Sequence, residues 1–114
     1  MNKANWHTQR DGACVTISRE LPARFDVSAS ARFPIVGRAR LAHQIRQDMW
    51  RALQNLRGFS PVVQVEHIDG ALSVTAGGRL GTPIAPHVHE TIDALLNDRE
   101  RRARWIRCAG GTRA

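Results

Sequence analysis

The segment 38–57 carries the most regular set of side chains that could bind a ligand. At about 100° per residue, the angular step of an α-helix, five polar or aromatic side chains share one side: His43, Arg46, Trp50, Gln54 and Arg57. Guanidinium groups fork onto phosphate or carboxylate, and an exposed indole stacks on a base or fills a partner's pocket. This Arg/Trp stripe predicts a surface for nucleic acid or for an acidic protein. The alternative is a solvated helix face whose tryptophan folds onto a neighbouring loop.

A second basic cluster lies near the C-terminus, around Trp105. Its arginines are Arg99, Arg101, Arg102, Arg104 and Arg107. Asp98 and Glu100 offset part of this charge, so a solvated face or a helix end that complements the dipole is the alternative. We take Arg101, Arg102 and Trp105 as candidate contacts. If both basic clusters face the same way, they form a groove for a polyanion.

Histidines supply the only grouping that suggests acid-base chemistry or metal binding. His87 and His89 flank Val88 at a predicted helix start, where they point to different sides, and His67 lies in a predicted hairpin. A small nuclease-like enzyme would require these imidazoles to converge. We find no paired carboxylates, nucleophile elbow or cofactor fingerprint. We therefore name no catalytic residue, metal site or cofactor, and an enzyme is the third hypothesis.

The glycine-rich segment 77–81 has the GxxG spacing of a KH loop between Gly78 and Gly81. A KH loop joins two helices, whereas this segment follows a predicted strand, so we interpret it as a flexible connection. The chain has no tyrosine, and the polar faces of the predicted strands carry no aromatic residue. Stacking of RNA bases on a sheet, as in RRM domains, is therefore disfavoured.

The elements that must position these residues follow from hydrophobic periodicity. Faultless alternation over 25–33 predicts a half-buried strand, and looser alternation over 14–21 predicts its hairpin partner. A helix is expected over 38–57, ending at Gly58. Its core stripe consists of Leu41, Ile45, Met49, Ala52 and Leu56.

The second half repeats this order. Asp69-Gly70 predicts a tight hairpin between 62–68 and 71–76. A loop over 77–86 leads to a helix whose buried face is Val88, Ile92, Leu95 and Leu96. We expect a break near Asn97-Asp98, because Arg99 would otherwise project from that face, and then a short helix with Ala103 and Ile106 inward. The prediction is an α+β fold in ββαββα order, with one four-stranded antiparallel sheet and both main helices on one face.

Composition bounds the organisation of the chain. With 114 residues and 42% hydrophobic content, it suits a single domain over 13–107, with flexible tails at 1–12 and 108–114. No stretch is apolar enough for a membrane helix or a secretory signal, so we expect a cytoplasmic protein. Cys14 and Cys108 are expected to be reduced thiols.

The net charge of +7, with Lys3 as the only lysine, favours polyanions and acidic partners. Nucleic-acid binding through the Arg/Trp stripe is the first hypothesis. RNA is favoured over duplex DNA because the sequence contains no helix-turn-helix or zinc-finger pattern. The second hypothesis is a protein-interaction module that docks the same stripe on an acidic partner or pairs a sheet edge in a homodimer.

Overall fold

The computed structural model describes residues 6–81 and 85–111. Within these ranges lie five strands: β1 (His7–Asp11), β2 (Cys14–Ser18), β3 (Val27–Phe33), β4 (Ser60–Ile68) and β5 (Ala71–Arg79). The helices of the same ranges are α1 (Arg38–Leu53), α2 (Pro86–Leu96) and α3 (Arg99–Ile106). The segment Arg107–Gly111 follows α3 and kinks at Gly110, where φ is 112°.

The strands form one antiparallel sheet in the order β1-β2-β4-β5-β3. The predicted α+β class with an antiparallel sheet is confirmed, but the predicted number of four strands and the ββαββα order are wrong. The additional strand is β1, which occupies part of the predicted N-terminal tail. All five of its residues are exposed, so this edge strand has no apolar alternation that a sequence pattern could detect.

The predicted hairpin between the segments 14–21 and 25–33 does not form. β2 pairs with β1 and β4, whereas β3 pairs with β5 at the other edge of the sheet. The connecting segment crosses the end of the sheet, where Arg19 N donates to Pro61 O at 3.2 Å and Asp26 N to Gly78 O at 2.8 Å. Alternation shows that a strand is half-buried but does not identify its neighbour.

The β4–β5 hairpin forms as predicted. Asp69 and Gly70 have φ values of 51° and 75°, as a type I′ turn requires at both central positions. β5 extends to Arg79, so Gly77 and Gly78, which were assigned to a flexible connection, belong to the sheet. A Cβ on Gly77 would lie 1.9 Å from Val27 O, and one on Gly78 would lie 2.2 Å from Ser60 O. Close approach of backbones therefore explains these glycines.

Helix α1 packs its predicted stripe against the sheet. Leu41, Ile45 and Met49 are fully buried and join the side chains of β2, β4 and β5 in one core. The α-helix ends at Leu53, earlier than predicted, and Leu53 is buried in place of the exposed Ala52. Arg57 therefore lies beyond the helix.

The second helical region breaks where expected. Val88, Ile92, Leu95 and Leu96 of α2 are buried, and the Asp98 carboxylate caps α3 by accepting from Arg101 N at 2.9 Å. In α3 Trp105 is buried and the predicted Ile106 is partly buried against the core, whereas the predicted Ala103 is exposed. The chain beyond α3 also packs inward: Ala109 is buried, and its carbonyl accepts from Gly37 N at 3.0 Å. Residues 108–111, predicted as part of a tail, therefore contact α1, and 112–114 lie outside the described residues.

The strand face that carries Val63 and Val65 packs against the helices. The opposite face is polar and small, as the sequence predicts. One row of side chains crosses all five strands in register: Gln9, Thr16, Gln64, Thr75 and Ser30. No Phe, Tyr or Trp side chain lies on this face of the five strands, so the sheet lacks the stacking platform of an RRM domain.

Candidate functional site

Part of the Arg/Trp stripe is presented to solvent around the end of α1. Trp50 is 38% exposed, a large value for an aromatic ring, and Gln54 and Arg57 are also exposed. Gln54 Nε2 lies 3.5 Å from the Arg51 carbonyl. Arg57 makes no hydrogen bond or ion pair with the described residues, so its fork is available to a ligand.

At the other end of the stripe, Arg46 is covered by Trp6 of the same chain. The Arg46 guanidinium lies over the Trp6 ring, 4.4 Å from its centroid, and Arg19 approaches the same ring at 5.5 Å. Burial lowers the pKa of Arg46, and the positive charge of Arg19 lowers it further. Burial, and then Arg46, likewise lowers the pKa of His43. Arg46 therefore holds Trp6, just before β1, against α1, and both Arg46 and the half-buried His43 are poorer candidates for direct contact than Trp50.

Trp6 is the neighbour of Arg46 that the sequence did not reveal. It precedes β1, in the segment predicted as a tail, and it packs against the hydrophobic core. A large ring among polar residues was the available signal, because an exposed tail gains nothing from a tryptophan.

A buried carboxylate joins α1 to α3. Asp48 is 8% exposed, and its Oδ2 accepts a hydrogen bond from Trp105 Nε1 at 2.9 Å and another from the Arg104 guanidinium. Arg101 Nε lies 3.8 Å from the same oxygen, and Arg51 Nη1 lies 3.8 Å from Oδ1. Three arginines from two helices therefore surround one carboxylate.

A surface cavity of about 260 Å³ lies beside this carboxylate, and its lining consists of Asp48, Arg51, Ala52, Arg101 and Arg104. One negative charge faces three positive charges, so the lining keeps an excess of two positive charges. We call Asp48, Arg51, Arg101 and Arg104 the Asp48 cluster. Arg51 and Arg104 were not among the predicted contacts, because nothing in the sequence shows how α1 packs against α3.

Two predicted contact residues have structural roles instead. Trp105 is completely buried, with its ring centroid 6.2 Å from that of Phe33, so it belongs to the core and leaves the candidate surface. Arg102 Nη1 donates to Leu96 O at 3.0 Å and Nη2 to Arg32 O, and the guanidinium lies 3.9 Å from the Phe33 centroid. Burial lowers the pKa of Arg102. The Arg102 guanidinium is therefore engaged in contacts within the fold.

Arg51 of α1, which is not part of the Arg/Trp stripe, meets two arginines of the second basic cluster in the Asp48 cluster. Arg46 and Arg51 lie about 140° apart around α1, with Trp50 between them, at roughly 100° per residue. Arg46 faces β1 through Trp6, whereas Arg51 faces α3 through Asp48. Arg51, Arg101 and Arg104 therefore share one basic surface between α1 and α3, and the exposed Trp50 lies about 100° around α1 from Arg51.

The histidines do not converge. His67 is paired with Leu72, whereas His89 Nδ1 lies 2.8 Å from Ser28 O on β3, and Ser28 is paired with Gly77. Five residues of β5 separate these positions, on the order of 15 Å. No group of three potential metal ligands occurs among residues 6–81 and 85–111. The third hypothesis thus lacks the geometry it requires.

Cys14 and Cys108 are free thiols. In the described ranges no helix has both the length and the apolar character needed to cross a membrane.

The chain matches no family model, no curated protein and no solved structure. Function must therefore be argued from the surface itself.

Proposed function

We propose that this chain is a binding module for single-stranded nucleic acid, RNA in preference to duplex DNA. Its contact surface comprises the end of α1 and the adjoining side of α3. The observation that carries the proposal is the convergence of three guanidinium groups from two helices, together with an exposed tryptophan on one of those helices. Phosphates lie against the arginines, and Trp50 stacks on a base.

The distribution of aromatic residues supports a single strand over a duplex. An exposed indole on a helix can stack only on a base that is already unpaired, because bases in a duplex are stacked on one another. The polar sheet face has no such ring, so the helical side is the better surface for this chemistry.

Binding is tested by fluorescence anisotropy with a labelled single-stranded RNA of mixed sequence. If the protein contacts four phosphates of the strand, its affinity falls about 50-fold when the salt concentration rises fourfold. Trp50→Ala removes the stacking platform and weakens binding by about 5- to 160-fold, from the 1–3 kcal/mol of a base–aromatic stack. Arg10→Gln, at the exposed β1 edge, removes one positive charge away from the surface and serves as the matched control. Equal affinities of Trp50→Ala, Arg10→Gln and wild type would count against the proposal.

An alternative is a homodimer formed by pairing of β1 strands, and the two sheet edges give it a specific basis. At the β3 edge, His89 lies against Ser28 O and Arg102 donates to Arg32 O, which blocks further strand pairing. Among the described residues, no strand pairs with the outer edge of β1. Light scattering that gives a dimer mass, reduced to a monomer mass by Thr8→Pro, would favour this alternative.

A further inference from the structure

The Asp48 cluster has the charge and the size of a phosphate site. We propose that it binds the terminal phosphomonoester of a nucleic-acid strand, so that the module recognises a phosphorylated strand end. This inference rests on the proposed function and names the group that the arginine-lined cavity accepts.

The first argument is the unequal use of the three guanidinium groups. Arg104 and Trp105 donate directly to Asp48 Oδ2. Arg51 and Arg101 remain 3.8 Å from the carboxylate oxygens, beyond hydrogen-bond length. The carboxylate therefore orients these two guanidinium groups at the cavity, but their N–H donors do not hydrogen-bond to it. Their side chains are 68% and 43% exposed, so an anion can reach both.

The second argument is charge complementarity. The cavity lining has an excess of two positive charges, and a phosphomonoester carries about −1.5 to −2 at pH 7, whereas each internal phosphodiester carries −1. Asp98 also approaches Arg101, at 3.7 Å, but its side chain is 40% exposed and it does not line the cavity. Solvent screening makes such an exposed pair weak. The terminal group is therefore the better match for the cavity.

The third argument is size. Pockets for drug-sized ligands occupy roughly 300–1,000 Å³, and this cavity of about 260 Å³ suits a phosphate group more than a whole nucleotide. The attached nucleoside must then lie outside the cavity. Trp50 is exposed and does not line the cavity; it lies about 100° around α1 from Arg51, so the strand must pass around α1 for one of its bases to reach the indole.

The test compares oligouridine decamers that differ only at one end. One pair carries a 5′-phosphate or a 5′-hydroxyl and a 3′ fluorophore, and a second pair carries a 3′-phosphate or a 3′-hydroxyl and a 5′ fluorophore. We expect one phosphorylated end to bind about fivefold tighter or more than its hydroxyl counterpart. Inorganic phosphate is expected to compete with that phosphorylated strand more strongly than chloride at equal ionic strength.

Variants separate the strand-end site from the rest of the surface. Arg51→Gln and Arg101→Gln, tested separately, are expected to abolish the preference for the phosphorylated end. Arg57→Gln lies outside the cavity and is the control: it weakens both strands by the same factor and keeps the preference. Thermal melting of each variant checks its fold, and agreement between the two cavity variants excludes an effect of unfolding.

The outcomes distinguish this inference from the proposed function. If all decamers bind equally well and depend on Trp50, the strand-end site is wrong and the proposed function stands. If no decamer binds more tightly to wild type than to Trp50→Ala, the proposed function fails. A preference that survives in both Arg51→Gln and Arg101→Gln overturns the assignment of the cavity. Tighter binding of a phosphoserine peptide than of any decamer overturns the assignment to nucleic acid.

Discussion

Asp48 connects the two helices of the candidate surface. Its carboxylate is buried, accepts the Trp105 indole N–H at 2.9 Å and is surrounded by three guanidinium groups. Because the indole N–H is buried as well, it finds no water if the carboxylate is removed. The same residue therefore serves the packing of α3 and the orientation of the arginines.

Asp48→Ala is expected to destabilise the protein by about 1–3 kcal/mol, the cost of an unsatisfied buried donor, and to leave the three arginines repelling one another. Urea unfolding measures the loss. Glu90→Ala, which removes an exposed carboxylate from α2, is the control and should change stability by less than about 0.5 kcal/mol. Equal midpoints for both variants would contradict this role of Asp48.

Arg101 and Arg102 are adjacent, yet we predict opposite effects for them. Arg102→Ala removes two hydrogen bonds and a contact with Phe33, so it lowers stability by about 1–3 kcal/mol and changes RNA affinity no more than Arg10→Gln does. Arg101→Ala leaves stability nearly unchanged and weakens RNA binding. Urea unfolding and anisotropy on the same samples measure stability and RNA affinity. A loss of stability in Arg101→Ala with a loss of RNA affinity in Arg102→Ala would contradict both roles.

His43 is expected to make the stability of the protein depend on pH. Burial and Arg46 lower the pKa of His43 in the folded state, so the unfolded chain binds the proton more readily, with an ordinary pKa near 6.5. Stability from the neutral imidazole is complete above that pH and is lost as pH falls toward the lowered folded pKa. The urea midpoint should therefore fall on acidification from pH 7.5, and His43→Gln should reduce that fall. A His43→Gln curve parallel to wild type would rule out this source.

At the scale of secondary-structure elements, two glycines permit the close approach of β5 to its neighbours. A Cβ on Gly77 would lie 1.9 Å from Val27 O, whereas one on Gly81 would have nothing within 4 Å. Gly77→Ala must push β3 and β5 apart, and we expect a loss of about 3 kcal/mol or more. Gly81→Ala should leave the thermal midpoint nearly unchanged. The comparison fails if the two variants melt together.

The elements with a strong periodic or turn signal were predictable from the sequence. Leu41, Ile45 and Met49 marked the buried side of α1, Asp69-Gly70 marked the β4–β5 turn, and Asp98 marked the start of α3. The edge strand β1 was missed because its five residues are all exposed. The neighbours of β3 were also missed, because alternation carries no information about strand pairing.

At the scale of the whole molecule, the sequence located the two concentrations of positive charge but not their relation. The positions of Arg51 and Arg104 around one carboxylate depend on the packing of α3 against α1, which no local pattern encodes. Packing of α3 also removed Trp105 and Arg102 from the predicted contacts: Trp105 donates to Asp48 of α1, and Arg102 donates to Leu96 O of α2 and Arg32 O of β3. What remains of the predicted stripe for direct contact is Trp50, Gln54 and Arg57, now extended by the Asp48 cluster.

The salt dependence of RNA affinity tests most directly that this α1–α3 surface holds phosphates. For single strands the slope of log affinity against log salt is about −0.7 for each phosphate neutralised. The double variant Arg57→Gln/Arg101→Gln is therefore expected to lose about 1.4 from the magnitude of that slope, whereas Arg10→Gln should leave it unchanged. Equal slopes for the wild type, the double variant and Arg10→Gln would show that the charge of this surface does not hold RNA.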